Sequence, residues 1–289
     1  QHERALKAPI QMRMALGYVP ALPGPTTAAF EEWLVEAAAT AQGESTRPRF
    51  TFATDARFGA VALRASFDAA ALGGGFAARF EDVAADDELA RLDVAIEQAQ
   101  PARVAHWIET RSGALERGWR IPAELPLARA LALADANPKV VALAEFGEAR
   151  GMETVSRFGR SVGLGGNRFT EIVAQLPGTG DEALEVGLDA YRALKAPRLP
   201  GLLVEAMRMA LRGPLSLSVW LTEHAVSHVG IVLSHPTTTE VLRLCHAIGA
   251  DKMDPLAAIE GALGVEGPSE VECAVAAGGP IVQMEYDIQ

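Results

Sequence analysis

The chain has 289 residues, a formal net charge of -11 and a hydrophobic fraction of 49%. This length and composition suit a folded core and exclude a disordered chain. The acidic balance, with no basic stripe, excludes the electrostatic footprint of a nucleic-acid-binding protein. No Lys/Arg-rich amphipathic segment points to a membrane surface. Cys245 and Cys273 lie in apolar stretches and are read as buried thiols, giving neither a disulfide framework nor a zinc pattern. With no signal peptide or spanning run visible, the expected location is cytoplasmic.

In chain order, Ile10, Met12, Met14 and Leu16 alternate with Gln11, Arg13 and Ala15, which predicts a strand over 10–16. Thr26 and Thr27 precede an amphipathic run through Phe30 and Trp33, a capped helix. A polar link over 42–49 leads to a hairpin with strands at 50–54 and 60–67. Gly73, Gly74 and Gly75 break the chain. Asp86, Asp87 and Glu88 then open a helix predicted to run to about Gln100, their charge suiting the positive end of its dipole. Pro122 and Pro126 argue against one long helix in 101–138, and 127–136 reads as helical.

A second hairpin is expected, with strands at 140–146 and 152–158. After a glycine-rich bend at 163–166, the stretch 169–176 fits strand or helix. Helices follow at 181–194 and 202–211, then a hairpin at 215–234. Thr237 and Glu240 have capping-box spacing and launch a helix that Gly249 stops. A short helix at 255–263 precedes a last hairpin, with strands at 270–276 and 281–288 around Gly278-Gly279. The pattern has no fixed repeat period, and its strands come in hairpins rather than βαβ crossovers. It predicts one α+β domain, 1–289, in which an N-terminal region, 1–45, packs on a repeat core, 46–289.

Parity divides each strand into two faces. Leu215, Leu217, Val219 and Leu221 alternate with Ser216, Ser218, Trp220 and Thr222. Val61, Leu63 and Phe67 oppose Arg64 and Ser66, Val229 and Ile231 oppose His228 and Gly230, and Val271 and Cys273 oppose Glu270 and Glu272. Val282, Met284 and Tyr286 oppose Gln283 and Glu285. Helices can cover the apolar face. The polar face is either open to solvent or enclosed by a sheet that closes into a barrel with a polar lumen, which also removes edge strands. The expected fold is the closed barrel, with helices on its outer face.

Repeated antiparallel hairpins interleaved with helices around a polar tunnel resemble the ABBA aromatic prenyltransferases. The resemblance is one of architecture, from about residue 25 onward, and rests on no diagnostic motif. It implies prenyl transfer from an allylic diphosphate to an aromatic small-molecule or peptide acceptor, as in natural product biosynthesis. It further implies basic residues on the strands for the diphosphate, tyrosines shielding the carbocation, and a carboxylate on the acceptor.

Under that resemblance Arg64 and Arg157 are the diphosphate ligands, and Ser216, Ser218, Trp220 and Gln283 line the substrate site. Glu272, Glu285 and His228 are the catalytic candidates. No cofactor is required by this reading, with Mg2+ as an optional complement to two arginines facing a multiply charged anion. The alternatives are a non-catalytic small-molecule-binding or scaffold protein, and a cofactor-independent cyclase or isomerase using His228 and a carboxylate. Glu272 and Glu285 are placed to face each other across the last hairpin, where like charges raise a pKa. His224 and His228 have helical metal-ligand spacing, but on a strand pair that spacing loses its meaning, and no metal site is assigned. The segment 163–167, beside Arg160 and Arg168, matches no phosphate-loop fingerprint and reads as a bend.

Overall fold

The computed structural model describes residues 7–19, 25–40, 48–56, 60–68, 89–97, 103–110, 125–133, 138–163, 168–222, 225–250, 255–276 and 278–288. The elements run α1 (Lys7–Leu16), α2 (Pro25–Thr40), β1 (Arg49–Asp55), β2 (Ala60–Asp68), β3 (Leu89–Glu97), β4 (Arg103–Thr110) and β5 (Leu125–Pro126). They continue with α3 (Leu127–Leu133), α4 (Pro138–Arg150), β6 (Thr154–Gly163), β7 (Arg168–Gln175), α5 (Gly180–Ala193) and α6 (Gly201–Arg208). The last are β8 (Leu215–Thr222), β9 (Val226–Ser234), α7 (Thr238–Ala247), α8 (Pro255–Leu263), β10 (Glu270–Ala276) and β11 (Gly279–Asp287).

All the described strands belong to one antiparallel sheet, ordered β4-β3-β2-β1-β11-β10-β9-β8-β7-β6-β5. A further antiparallel pairing joins β4 to β6 through Ala105 and Gly163, His106 and Val162, and Trp107 and Ser161. Apart from shifts at Ala53/Thr54, Leu89/Arg91, Val155/Arg157 and Trp220/Leu221, the register keeps parity from strand to strand. Ser218 pairs with Gly230, Gly230 with Ala274 and Ala274 with Ile281, while Glu270 pairs with Glu285, Glu285 with Thr51 and Thr51 with Arg64. One face is therefore a continuous set of the polar positions picked out by alternation.

The opposite face is the core. Phe50, Phe52, Leu63, Ile231, Val271, Cys273, Met284 and Tyr286 are at most 1% exposed. Phe52 and Tyr286 stack with ring centroids 6.3 Å apart. Trp33 of α2 meets Phe67 at 5.6 Å, and α5 packs on β8 and β9. Gly187 is what lets α5 come close, since a Cβ there would lie 2.9 Å from Ile231 Cδ1. Both cysteines are free and buried in this layer.

Contacts on the polar face require the sheet to curl. Arg157 on β6 and Glu285 on β11 are five strand positions apart. On a flat sheet that is ~24 Å. Their side chains meet at 3.3 Å.

Three expectations fail. Residues 10–16 are helical: Ala8, Met12, Ala15 and Leu16 are buried, whereas Ile10 and Met14 are 49% and 57% exposed. The period-2 pattern came from sampling two sides of a helix. Residues 140–146 are helical for the same reason, since Val140, Leu143 and Phe146 are buried and Val141 is exposed. β6 takes β7 as its hairpin partner instead. The helix predicted from Asp86 is strand β3, where Leu92, Val94 and Ile96 alternate with Arg91, Asp93 and Ala95. β4 was not anticipated, and the ambiguous 169–176 stretch is strand β7. Gly73, Gly74, Gly75, Asp86, Asp87, Glu88, His224 and the 164–167 bend lie outside the described residues.

The capping box is formed as expected: Glu240 N–H donates to Thr237 Oγ1, and Thr237 N–H donates to Glu240 Oε2 at 2.7 Å. Thr237→Ala should lower stability by about 1 kcal/mol, with Thr237→Ser retaining most of it, as read from urea denaturation midpoints.

Candidate functional site

The curl brings side chains from β1, β2, β6, β7, β9, β10 and β11 onto one buried polar surface. Its centre is Arg157. Nε lies 3.3 Å from Glu171 Oε1, Nη2 donates to Glu270 Oε2 at 3.1 Å, and Nη1 donates to Glu285 Oε2 at 3.3 Å. Burial works against the guanidinium charge, but the attraction of Glu171, Glu270, Glu285 and Glu272 outweighs it and holds the proton well above the usual arginine range. Arg49 shares Glu285 at 3.2 Å and approaches Asp287 at 3.7 Å. Arg64, on the opposite side of the curl, is 3.7 Å from Glu171.

A second group lies beside this cluster. The rings of Trp220 and His228 stack with centroids 5.3 Å apart, the Arg64 guanidinium sits 5.0 Å from the Trp220 ring centre, and Trp220 Nε1 donates to Ser218 Oγ at 3.0 Å. His228 Nε2 is 3.6 Å from Glu272 Oε1, beyond hydrogen-bond reach. Gln283 Nε2 donates to the other Glu272 oxygen at 3.3 Å. Glu272 has room because Gly230, diagonal to it on β9 and in register with Ala274, lacks a side chain: a Cβ there would fall 2.1 Å from Glu272 Oε1. The surface is not packed like a core. Ser216, Trp220 and Gln283 stay partly accessible in mid-strand, while their outward neighbours Leu217 and Val219 are sealed.

Every residue singled out from the sequence lies on this face: Arg64, Arg157, Ser216, Ser218, Trp220, His228, Glu272, Gln283 and Glu285. Glu272 and Glu285 are not direct partners, because Glu285 pairs with Glu270 and Glu272 with Gln283. Sequence reasoning passed over Arg49, Glu171 and Glu270 as site residues. Glu171 sits in RFTEIVAQ, whose two faces both mix polar and apolar residues. Arg49 stands one residue before the run first read as a strand. Among the described residues, no group of three or more His, Cys, Asp or Glu is arranged to hold a metal ion. Also among them, no helix is long and apolar enough to cross a membrane.

AnaPT from Neosartorya fischeri superposes with a TM-score of 0.61 at 10% identity, over 99% of this chain and 94% of that one. The fold is that of the aromatic prenyltransferases. A 6-dimethylallyl tryptophan synthase aligns over 100% of this chain and 97% of its own, at 15% identity and a TM-score of 0.48. A PH domain-containing protein of Dictyostelium discoideum is 29% identical over 195 residues, 65% of this chain and 42% of its own length. The chain thus spans about two fifths of that relative. No protein-family model matches.

Set in an aromatic prenyltransferase fold, the tyrosines stand apart. The chain has three. Tyr18 is exposed on the turn after α1, Tyr286 is in the outer core, and Tyr191 is buried under α5, donating to the Val229 carbonyl at 2.7 Å. None contributes to the polar face, where Trp220 is the aromatic among the residues with described side chains.

Glu270 is drawn down by Arg157, but burial and the nearby Glu285 and Glu171 carboxylates leave it raised above the ordinary glutamate range. The native state then holds this proton more tightly than the unfolded chain, so the contribution to stability is fullest at low pH and is lost as the pH rises through the native value. The stability of Glu270→Gln relative to wild type should therefore increase between about pH 4 and 7. Urea midpoints across that range check it, and a relative stability that falls contradicts the raised proton affinity. Arg157→Met should cost about 3–5 kcal/mol at neutral pH, because it strands buried carboxylates.

Proposed function

We propose that the chain transfers a prenyl group from an allylic diphosphate to an aromatic small-molecule or peptide acceptor. In this reading the β4–β6 pairing closes the curled sheet into a barrel, and the polar face lines its lumen. The observation that carries it is the gathering of Arg64, Arg157, Trp220, His228 and Glu272 on one buried face of this fold.

The chemistry is a substitution. The allylic C–O bond breaks with its electron pair leaving on the diphosphate, a ring carbon of the acceptor attacks the allylic cation, and the ring then loses a proton to a base. Arg64 and Arg157, reaching in from β2 and β6, are the groups that would stabilise the departing anion. Trp220 offers an aromatic face to the cation. Glu272, Glu285 and His228 are the available proton acceptors. Mg2+, where present, would be held by the diphosphate with one or two of the lumen carboxylates, and would add positive charge that the paired arginines lack.

A second reading, a non-catalytic small-molecule-binding protein, is favoured by one observation. Arg49, Arg64 and Arg157 each already face a carboxylate, so an anion must compete with Glu171, Glu270 and Glu285 for them.

Thermal-shift measurements with dimethylallyl and geranyl diphosphate, with and without Mg2+, separate the two. A ligand at 100 times its dissociation constant stabilises the native state by about 2.7 kcal/mol. Prenyl transfer predicts a clear rise in Tm that Arg64→Ala abolishes. No rise with either diphosphate under either condition leaves the binding-protein reading.

A further inference from the structure

Among the described residues seven large apolar side chains stand exposed, and four of them, Ile10, Met14, Tyr18 and Val35, lie on or beside the helix pair α1 and α2. Val141 on α4, and Leu202 and Met209 at the two ends of α6, are dispersed, as exposed apolar residues normally are. α1 is apolar on two sides. Ala8, Met12, Ala15 and Leu16 turn inward, while Ile10, Met14 and Tyr18, spaced four apart, form a second stripe that is 49–57% exposed. A helix with apolar residues all round is one that is covered all round.

α2 borders this stripe. Arg13, between Ile10 and Met14 on the same helix face, reaches Glu31 of α2 at 3.4 Å. A groove of about 520 Å3 runs along the pair, walled by Ala28, Glu31, Glu32, Val35 and Ala39, which share one face of α2. The charges divide by helix. α1 holds Lys7 and Arg13 and no acid, and α2 holds Glu31, Glu32 and Glu36 and no base. A surface that is basic on one half and acidic on the other, with apolar side chains along both, is complementary to itself when turned through a two-fold axis. α1 of each copy then meets α2 of the other. The other pairing, α1 on α1 and α2 on α2, sets like charges together, and a partner of a single sign matches one half and is repelled by the other.

We infer that the outer face of α1 and α2 docks a second copy of this chain, forming a two-fold dimer of four packed helices in which each α1 lies along α2 of the other copy. The Arg13–Glu31 pair does not hold the surface shut, because an ion pair between side chains 57% and 48% exposed contributes little. Two helices side by side, the longer of 16 residues, offer a footprint of ~24 by ~20 Å. That belongs to the small class of specific interfaces, so the dimer is a micromolar, concentration-dependent one. The inference does not depend on the prenyl-transfer reading, since α2 lies in the outer layer, where Trp33 packs on Phe67.

Analytical ultracentrifugation of the full chain from ~1 to ~200 μM brackets such an affinity. The wild type should pass from monomer to dimer across this range. Met14→Glu, which puts an acid into the apolar stripe of the basic helix, should raise the dissociation constant at least about tenfold. Met14 is 57% exposed, so the thermal melt of this variant should match wild type. Arg13→Glu and Glu32→Arg should each weaken self-association several-fold by setting like charges across the axis. An equimolar mixture of the two should associate about as well as wild type, because each reversed side chain then faces its opposite. A chain that stays monomeric throughout overturns the inference and leaves the face to a different partner. A dimer indifferent to Met14→Glu overturns it by placing the interface elsewhere, and a mixture no tighter than either variant alone overturns the pairing of α1 with α2.

Discussion

Arg157 reaches carboxylates on three other strands, and the shape of the sheet is bound up with that reach. A polar sheet face can leave bulk water only if its charges meet partners, because isolated buried ions cost several kcal/mol each. Glu171, Glu270 and Glu285 are brought around one guanidinium by the curl. Arg49 and Arg64 extend the same compensation to either side. Such a network adds little net stability compared with an apolar filling, but it disfavours a flat sheet, in which these groups would lie far apart. The helices seal the outer face, and the ion pairs define the inner one.

Much of this was legible because alternation is a direct readout of a sheet with two unlike faces. Three hairpins, built on 50–67, 215–234 and 270–288, were placed correctly, and their polar parities joined into one surface across register shifts at Ala53/Thr54 and Trp220/Leu221. The same rule misled where a helix put apolar residues at even spacing. Ile10 and Met14 point to solvent while Met12 and Leu16 are buried, a difference that only packing against α2 and α8 creates. Ahead of β3 in the sequence, three acids suggested a helix start and hid the alternation of Leu92, Val94 and Ile96 behind them. The partners within the site were less legible than its members. Which glutamate meets which arginine depends on the curl, and Glu171 lies on a strand with no clean parity.

The fold and the furnishing of the site carry different information. Overlap with AnaPT extends over nearly the whole chain at 10% identity, so the backbone plan is shared while the side chains are almost entirely its own. Here the tyrosines serve the core and the surface: Tyr191 ties α5 to β9, and Tyr286 stacks on Phe52. The polar face relies on Trp220, hydroxyls and paired charges. Function follows from such furnishings rather than from the fold that holds them.

Gly230 makes two positions on neighbouring strands into one inheritable unit. The volume its missing side chain vacates is taken by the carboxylate of Glu272. Alanine at 230 is compatible with a short residue at 272, and a long acid at 272 demands glycine at 230. Neither can drift alone. The charge of this corner of the molecule is thus guarded by an uncharged neighbour, and among descendants of this sequence the two positions should change together or not at all.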